Sequence, residues 1–117
     1  MGLTNLSFTI SNPLNGGKSI RKKMLVDSVS VYSILPAKQL YKLGIRPDSK
    51  QKFILANGRE MEKDVGEARF GWHKLKRTSP VIFGDKNVYV LGVTTLEAMG
   101  VILNPIDRTL EKLPMTI

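Results

Sequence analysis

The chain has 117 residues, a length that suits one domain rather than two, and its 42% hydrophobic content is enough to build a core. It has no Cys, which excludes disulfides, thiolate metal sites and a Cys nucleophile, and its one His, His73, leaves no imidazole cluster for zinc. With those excluded, the chemistry left for catalysis is that of carboxylates, hydroxyls and amines; Lys and Arg number 18 against 10 for Asp and Glu, a net charge of +8.

Taken in chain order, Leu6, Phe8 and Ile10 alternate with Ser7 and Thr9, the pattern of a half-buried strand. Asn12-Pro13 and Asn15-Gly16-Gly17 carry turn chemistry. The basic stretch from Lys18 to Lys23 leads into Met24-Leu25-Val26, a continuous apolar run that fits a buried strand. Residues 4–26 therefore read as a hairpin whose second strand enters the core. Pro36 to Leu43 reads as a short helix, with Pro in the first turn, Leu40 and Leu43 on one face and Gly44 as the stop. Phe53-Ile54-Leu55 and Met61 to Phe70 flank Asn57-Gly58, a strong hairpin signal. Pro80 to Phe83 and Val88 to Leu91 are further apolar runs, closed by Gly84-Asp85 and Gly92. Thr94 to Met99 reads as a second helix, with Thr94 and Glu97 at capping-box spacing and Gly100 as its C-terminal stop. Val101-Ile102-Leu103, Asn104-Pro105 and a last alternation near Leu110 and Leu113 complete the chain. Many short strands with two short helices predict a mostly-β barrel or sandwich-like fold over residues 1–117.

No apolar stretch approaches the roughly 20 residues of a transmembrane helix, and no charged start precedes an apolar run as in a secretory signal. A cytoplasmic protein without membrane association is the expectation. The +8 charge points towards acidic partners or nucleic acid, or reflects a solvated surface. With charge as its only support, nucleic acid is not expected as a partner. Other polar residues read as structural: His73 beside Trp72 in a basic turn, and Glu60, Glu62, Asp64 and Glu67 interspersed with Arg59, Lys63 and Arg69 on a solvated strand face.

The segment Leu25-Val26-Asp27-Ser28-Val29-Ser30 differs in kind. Asp27 follows an apolar run, and small hydroxyl residues come directly after it. A carboxylate near a core is costly unless hydrogen-bonded, and the hydroxyls and amides of the following turn can supply those bonds. The plain reading is a strand-end Asp that makes a turn.

Here the chain resembles the retropepsin-like aspartic proteases. Asp27-Ser28 with Ser33-Ile34-Leu35-Pro36 is similar to their Asp-Thr/Ser-Gly signature and its continuation. Val90-Leu91-Gly92 resembles their hydrophobic-hydrophobic-Gly motif, and Leu55-Ala56-Asn57-Gly58-Arg59 resembles the tip of their substrate-covering flap. Order and spacing match over about residues 4–113. The resemblance implies a closed β-barrel of the acid-protease type with two short helices, acting as a homodimer on peptide or protein substrates. In it, Asp27 would be the catalytic carboxylate, one from each subunit, and Ser28 its cross-dimer support. Val29, Ser30, Ala56, Asn57 and Gly58 would bind substrate. Two carboxylates meeting at a two-fold axis share a proton and titrate as a unit. One would act as base towards water and the other as acid towards the peptide carbonyl, with no metal or cofactor. In the family, strands at the two termini contribute to the dimer interface, which makes residues 4–10 and 109–117 the candidates here. The sequence departs from the family at Val29, where the signature has Gly. A β-branched side chain there implies a narrowed site, an altered specificity or a fold that binds extended peptides without cleaving them.

Overall fold

Alternation governs the first strand. In β1 (Asn5–Asn12), Phe8 and Ile10 are fully buried while Ser7, Thr9 and Ser11 face outwards. The structure, a computed structural model, describes residues 3–114 and 116. After β1 come β2 (Asn15–Val26), β3 (Ser33–Pro36), α1 (Ala37–Lys42), β4 (Ser49–Ile54), β5 (Glu60–Trp72) and β6 (Leu75–Gly84). The chain continues through β7 (Val90–Leu91), α2 (Val93–Met99), β8 (Val101–Asn104) and β9 (Thr109–Lys112).

The protein is mostly β with two short helices, as its sequence predicts. Seven strands form one mixed sheet in the order β1-β2-β7-β3-β6-β5-β4. β1 also pairs with β5 through Thr9–Ser11, so the hydrogen bonds of six of these strands return on themselves as a ring. β4 stands outside the ring, paired with β5 alone. The ring includes two parallel pairs, β2 with β7 and β3 with β6. β8 and β9 form a separate two-stranded sheet. One buried cluster collects Met24, Leu35, Phe70, Leu91, Met99 and Leu110, among others, from strands and α2 alike. Among the described residues, no helix is long and apolar enough to cross a membrane.

Three local expectations are corrected. The first turn falls at Pro13-Leu14, and Asn15-Gly16-Gly17 already belongs to β2. Asn12 makes that turn: its Oδ1 accepts the Leu14 N–H at 2.9 Å, and its Nδ2 donates to the Leu43 carbonyl at 3.1 Å. The register jumps there from Ser11↔Ser19 to Asn12↔Asn15, which places Gly16 and Gly17 in an irregular stretch of β2. Second, the run from Val88 to Leu91 contributes only Val90 and Leu91 to a strand. Third, α2 starts at Val93 with Gly92 as N-cap and no side-chain cap, so Thr94 and Glu97 form no capping box. Its early amides bond instead to a loop, Val93 N–H to the Ser30 carbonyl at 2.8 Å and Thr94 N–H to that of Val31 at 3.0 Å. α1 forms where expected but spans Ala37–Lys42: Pro36 ends β3 and is the N-cap rather than a residue of the first turn, Leu43 is the C-cap, and Gly44 is left-handed after the end (φ 77°).

Of the terminal segments expected at a subunit interface, β1 is paired on both sides only at Thr9–Ser11. β9 is paired on one side, with β8. Met115 and Ile117 lie outside the described residues.

Candidate active site

β2 delivers Asp27 to its position. The Val26 N–H donates to the Thr4 carbonyl at 2.9 Å, and the Asp27 N–H donates to the Leu91 carbonyl at 3.0 Å. These bonds tie the end of β2 to the segment ahead of β1 and to β7. Asp27 is half-buried, and its Oδ1 accepts the Val29 N–H at 2.9 Å, closing a turn over Ser28. One carboxylate oxygen therefore fixes the loop. Ser28 is exposed, and Val29 is 87% exposed. Ser30 Oγ donates to the Tyr32 carbonyl at 3.0 Å.

The loop from 27 to 32 rests on Gly92. A Cβ built on Gly92 would stand 2.5 Å from the Tyr32 carbonyl carbon and 2.9 Å from the Ser30 oxygen, so only a hydrogen fits. The Gly92 N–H donates to Ser33 Oγ at 3.0 Å. Ser33 Oγ lies 2.6 Å from Thr95 Oγ1, which lies 2.9 Å from Ser79 Oγ. All three hydroxyl residues are at most 1% exposed. They form a polar layer beneath the loop that joins β3, α2 and β6. The sequence reading missed Ser79 and Thr95, which stand next to other hydroxyl residues, Thr78 and Thr94, with no local signal to single them out.

A groove of about 370 Å³ opens on the other side of the loop. Val29, Val31 and Tyr32 line one wall, and Phe53, Leu55 and Met61 line the facing one. The Tyr32 and Phe53 rings meet edge to face with centroids 6.0 Å apart, bridging loop and hairpin. The β4–β5 hairpin closes with the Gly58 N–H donating to the Leu55 carbonyl at 2.9 Å and the Leu55 N–H donating to that of Arg59 at 2.8 Å. Asn57 Oδ1 accepts the Arg59 N–H at 2.9 Å. Gly58 takes the left-handed conformation (φ 82°), whereas Asn57 does not, so Gly58 is the bulge residue of a longer hairpin loop.

The expected site residues divide accordingly. Val29 and Ser30 line the groove together with the hairpin stem. Ala56, Asn57 and Gly58 form the exposed tip and do not line it. Asp27 is not among the residues lining the groove and is linked to it through its hydrogen bond with Val29. Ser28 lines a different cleft, of about 520 Å³, whose walls include Leu3, Val26, Leu96, Ile102 and Leu113. The Asp27–Ser30 turn thus separates an apolar groove from an apolar cleft. Among the described residues no group of His, Asp and Glu side chains is arranged to hold a metal ion. No protein-family model matches the chain, and no curated protein matches it.

Proposed function

We propose that the chain is an aspartic-type endopeptidase that acts as a homodimer, with its ring of strands forming a closed β-barrel of the retropepsin type. The observation that carries this reading is the setting of Asp27. Its carboxylate accepts the Val29 N–H in a loop backed by Gly92 and the Ser33–Thr95–Ser79 hydroxyls, a loop whose next residues line a groove beside a hairpin and an exposed apolar cleft. Rigid support of this kind is what a catalytic group needs.

The cleft gives the dimer a place to form. Leu3, Ile102 and Leu113 on its walls are 72%, 45% and 42% exposed, and Ser28 stands beside them. A second copy docked there about a two-fold axis would bring Asp27 to its own counterpart. Of the two carboxyl groups, the ionised one takes a proton from a water as its oxygen attacks the peptide carbonyl carbon. The protonated one donates to the carbonyl oxygen. Collapse of the tetrahedral adduct then passes a proton to the leaving amine and breaks the C–N bond. The hairpin would close over an extended peptide and exclude water.

A second reading rests on Val29. Its exposed side chain occupies the groove wall, where a peptide backbone would need close approach. The dimer would then hold extended peptides without cleaving them. Peptide-library cleavage by three proteins separates the readings. Asp27→Asn is expected to lower kcat by about 10²–10⁴-fold, the usual worth of a general acid–base. Val29→Gly is expected to raise kcat/KM at least about tenfold, with a stability loss of about 0.4–1 kcal/mol from the freer unfolded chain. Peptide binding by wild type with turnover only in Val29→Gly would favour the second reading; cleavage unaffected by Asp27→Asn would refute the first.

A further inference from the structure

Part of the excess positive charge is gathered on one face of the sheet. The outward residues of β2, β1, β5 and β6 form a continuous face, and strand register fixes its rows. One row runs Arg21, Thr9, Gly71, Lys76 across the four strands. A neighbouring row runs Ser19, Ser11, Arg69, Thr78. On the other side, Lys23 pairs with Ser7. Arg21, Lys23, Arg69 and Lys76 are all exposed. None of these four cations pairs with a carboxylate among the described residues, where the ion pairs are Lys50–Asp64 and Lys63–Asp85. The acidic residue of this face is Glu67, opposite Pro80, beyond Arg69.

The middle of the face is a trough of about 220 Å³ lined by Thr9, Ser11, Ser19, Arg69, Gly71 and Lys76. Gly71 opens it. A Cβ on Gly71 would make ordinary contacts, 3.6 Å to Thr9 Cβ and 3.5 Å to Lys76 Cγ, and its φ is not positive. Neither sterics nor backbone conformation demands glycine here; its missing side chain leaves a floor of main chain between Thr9 and Lys76. Adjacent strands lie about 4.8 Å apart, so a four-strand row spans about 14 Å from Arg21 to Lys76.

We infer that this face binds the phosphodiester backbone of nucleic acid. Its recognition groups are cations and hydroxyls, the donors that contact phosphate and sugar without reading sequence. The two rows that line the trough carry no apolar side chain, which argues against seating peptide side chains or inserting into a lipid surface. The trough shares no residue with the groove beside Val29, so the inference stands independently of the protease reading.

Fluorescence anisotropy of a labelled oligouridine titrated with the full chain tests it. Four phosphate contacts predict a slope of about −0.7 per contact, a fall in affinity of about fiftyfold between about 50 and 200 mM salt. The R21Q/K23Q/R69Q/K76Q variant should lose at least about tenfold in affinity at the lower salt and flatten the slope by about 3. A charge-matched control, K38Q/K42Q/K52Q/K86Q, should lose less than about threefold, because its exposed lysines lie off the face. Gly71→Leu fills the trough without changing charge and should weaken binding by about fivefold. Circular dichroism checks that each variant keeps its fold. Absence of oligouridine binding at the lower salt would overturn the inference. So would equal losses in the face and control variants, or competition by polyglutamate or anionic phosphatidylserine vesicles as effective, per charge, as that by unlabelled oligouridine.

Discussion

At position 92 the loop that carries Asp27 tolerates nothing larger than a hydrogen. The Tyr32 carbonyl and the Ser30 oxygen occupy the space a Cβ would need, and both belong to main chain that cannot rotate away. Gly92→Ala is therefore expected to cost about 3 kcal/mol, the upper range for overpacking, and to displace the 27–32 loop. Urea denaturation reads the first effect, and loss of peptide cleavage reads the second. Destabilisation below about 0.5 kcal/mol, the level of an ordinary surface change, would show that the loop is not wedged as described. The hydroxyl layer below shows why some of the site escaped the sequence. Thr95 lies 62 residues from Ser33 and 16 from Ser79, so nothing local announces that the three meet. Asp27 itself was legible, because a carboxylate directly after an apolar run must find partners, and the nearest donors are in the turn that follows.

At the scale of elements, local chemistry explains most of the structure. The alternation in β1, Pro36 and Gly44 around α1, and Asn57-Gly58 at the hairpin each act within a few residues and were readable for that reason. The N-terminus of α2 was not, because its amides are satisfied by carbonyls of residues 30 and 31, some 60 positions away, rather than by a side-chain cap. The return of β1 to β5 was likewise invisible, since pairing Thr9 with Gly71 leaves no trace in either strand's pattern. The hairpin formed by β4 and β5 is held differently from the ring. β4 pairs only with β5, and most of its residues are exposed, so its opening should be independent of global unfolding. Gly58→Ala isolates that behaviour, because the new Cβ meets nothing within 4 Å and the cost is left-handed strain alone, about 1–2 kcal/mol. Hydrogen exchange at the Leu55 amide should accelerate by about tenfold or more, while that at Phe8 and Phe70 stays unchanged. Equal acceleration at all three would mean that hairpin and ring open together.

For the molecule as a whole, the question is what covers the cleft beside Ser28. It gathers exposed apolar side chains from the segment before β1, from β8 and from the residue following β9, all close to the loop that presents Asp27. Ile102→Glu sets a carboxylate on that surface at a position 45% exposed in the single chain, so the fold of each copy should survive. Sedimentation velocity should show wild type as a dimer and Ile102→Glu as a monomer, with cleavage lost in parallel. A monomeric wild type that still cleaves peptides would contradict the shared site. The basic face of β2, β1, β5 and β6 belongs to the same scale. Composition gives the net charge of the chain, but only strand register shows that Arg21, Lys23, Arg69 and Lys76 share one surface.

Mixing wild type with Asp27→Asn tests most directly whether two Asp27 carboxylates form one active centre. Equal amounts, allowed to exchange subunits, leave about one quarter of the dimers with both carboxylates. Adding an equal amount of inactive variant to a fixed amount of wild type should therefore lower peptide cleavage to about half. Cleavage that stays undiminished on mixing, or that persists in Asp27→Asn alone, would contradict the account.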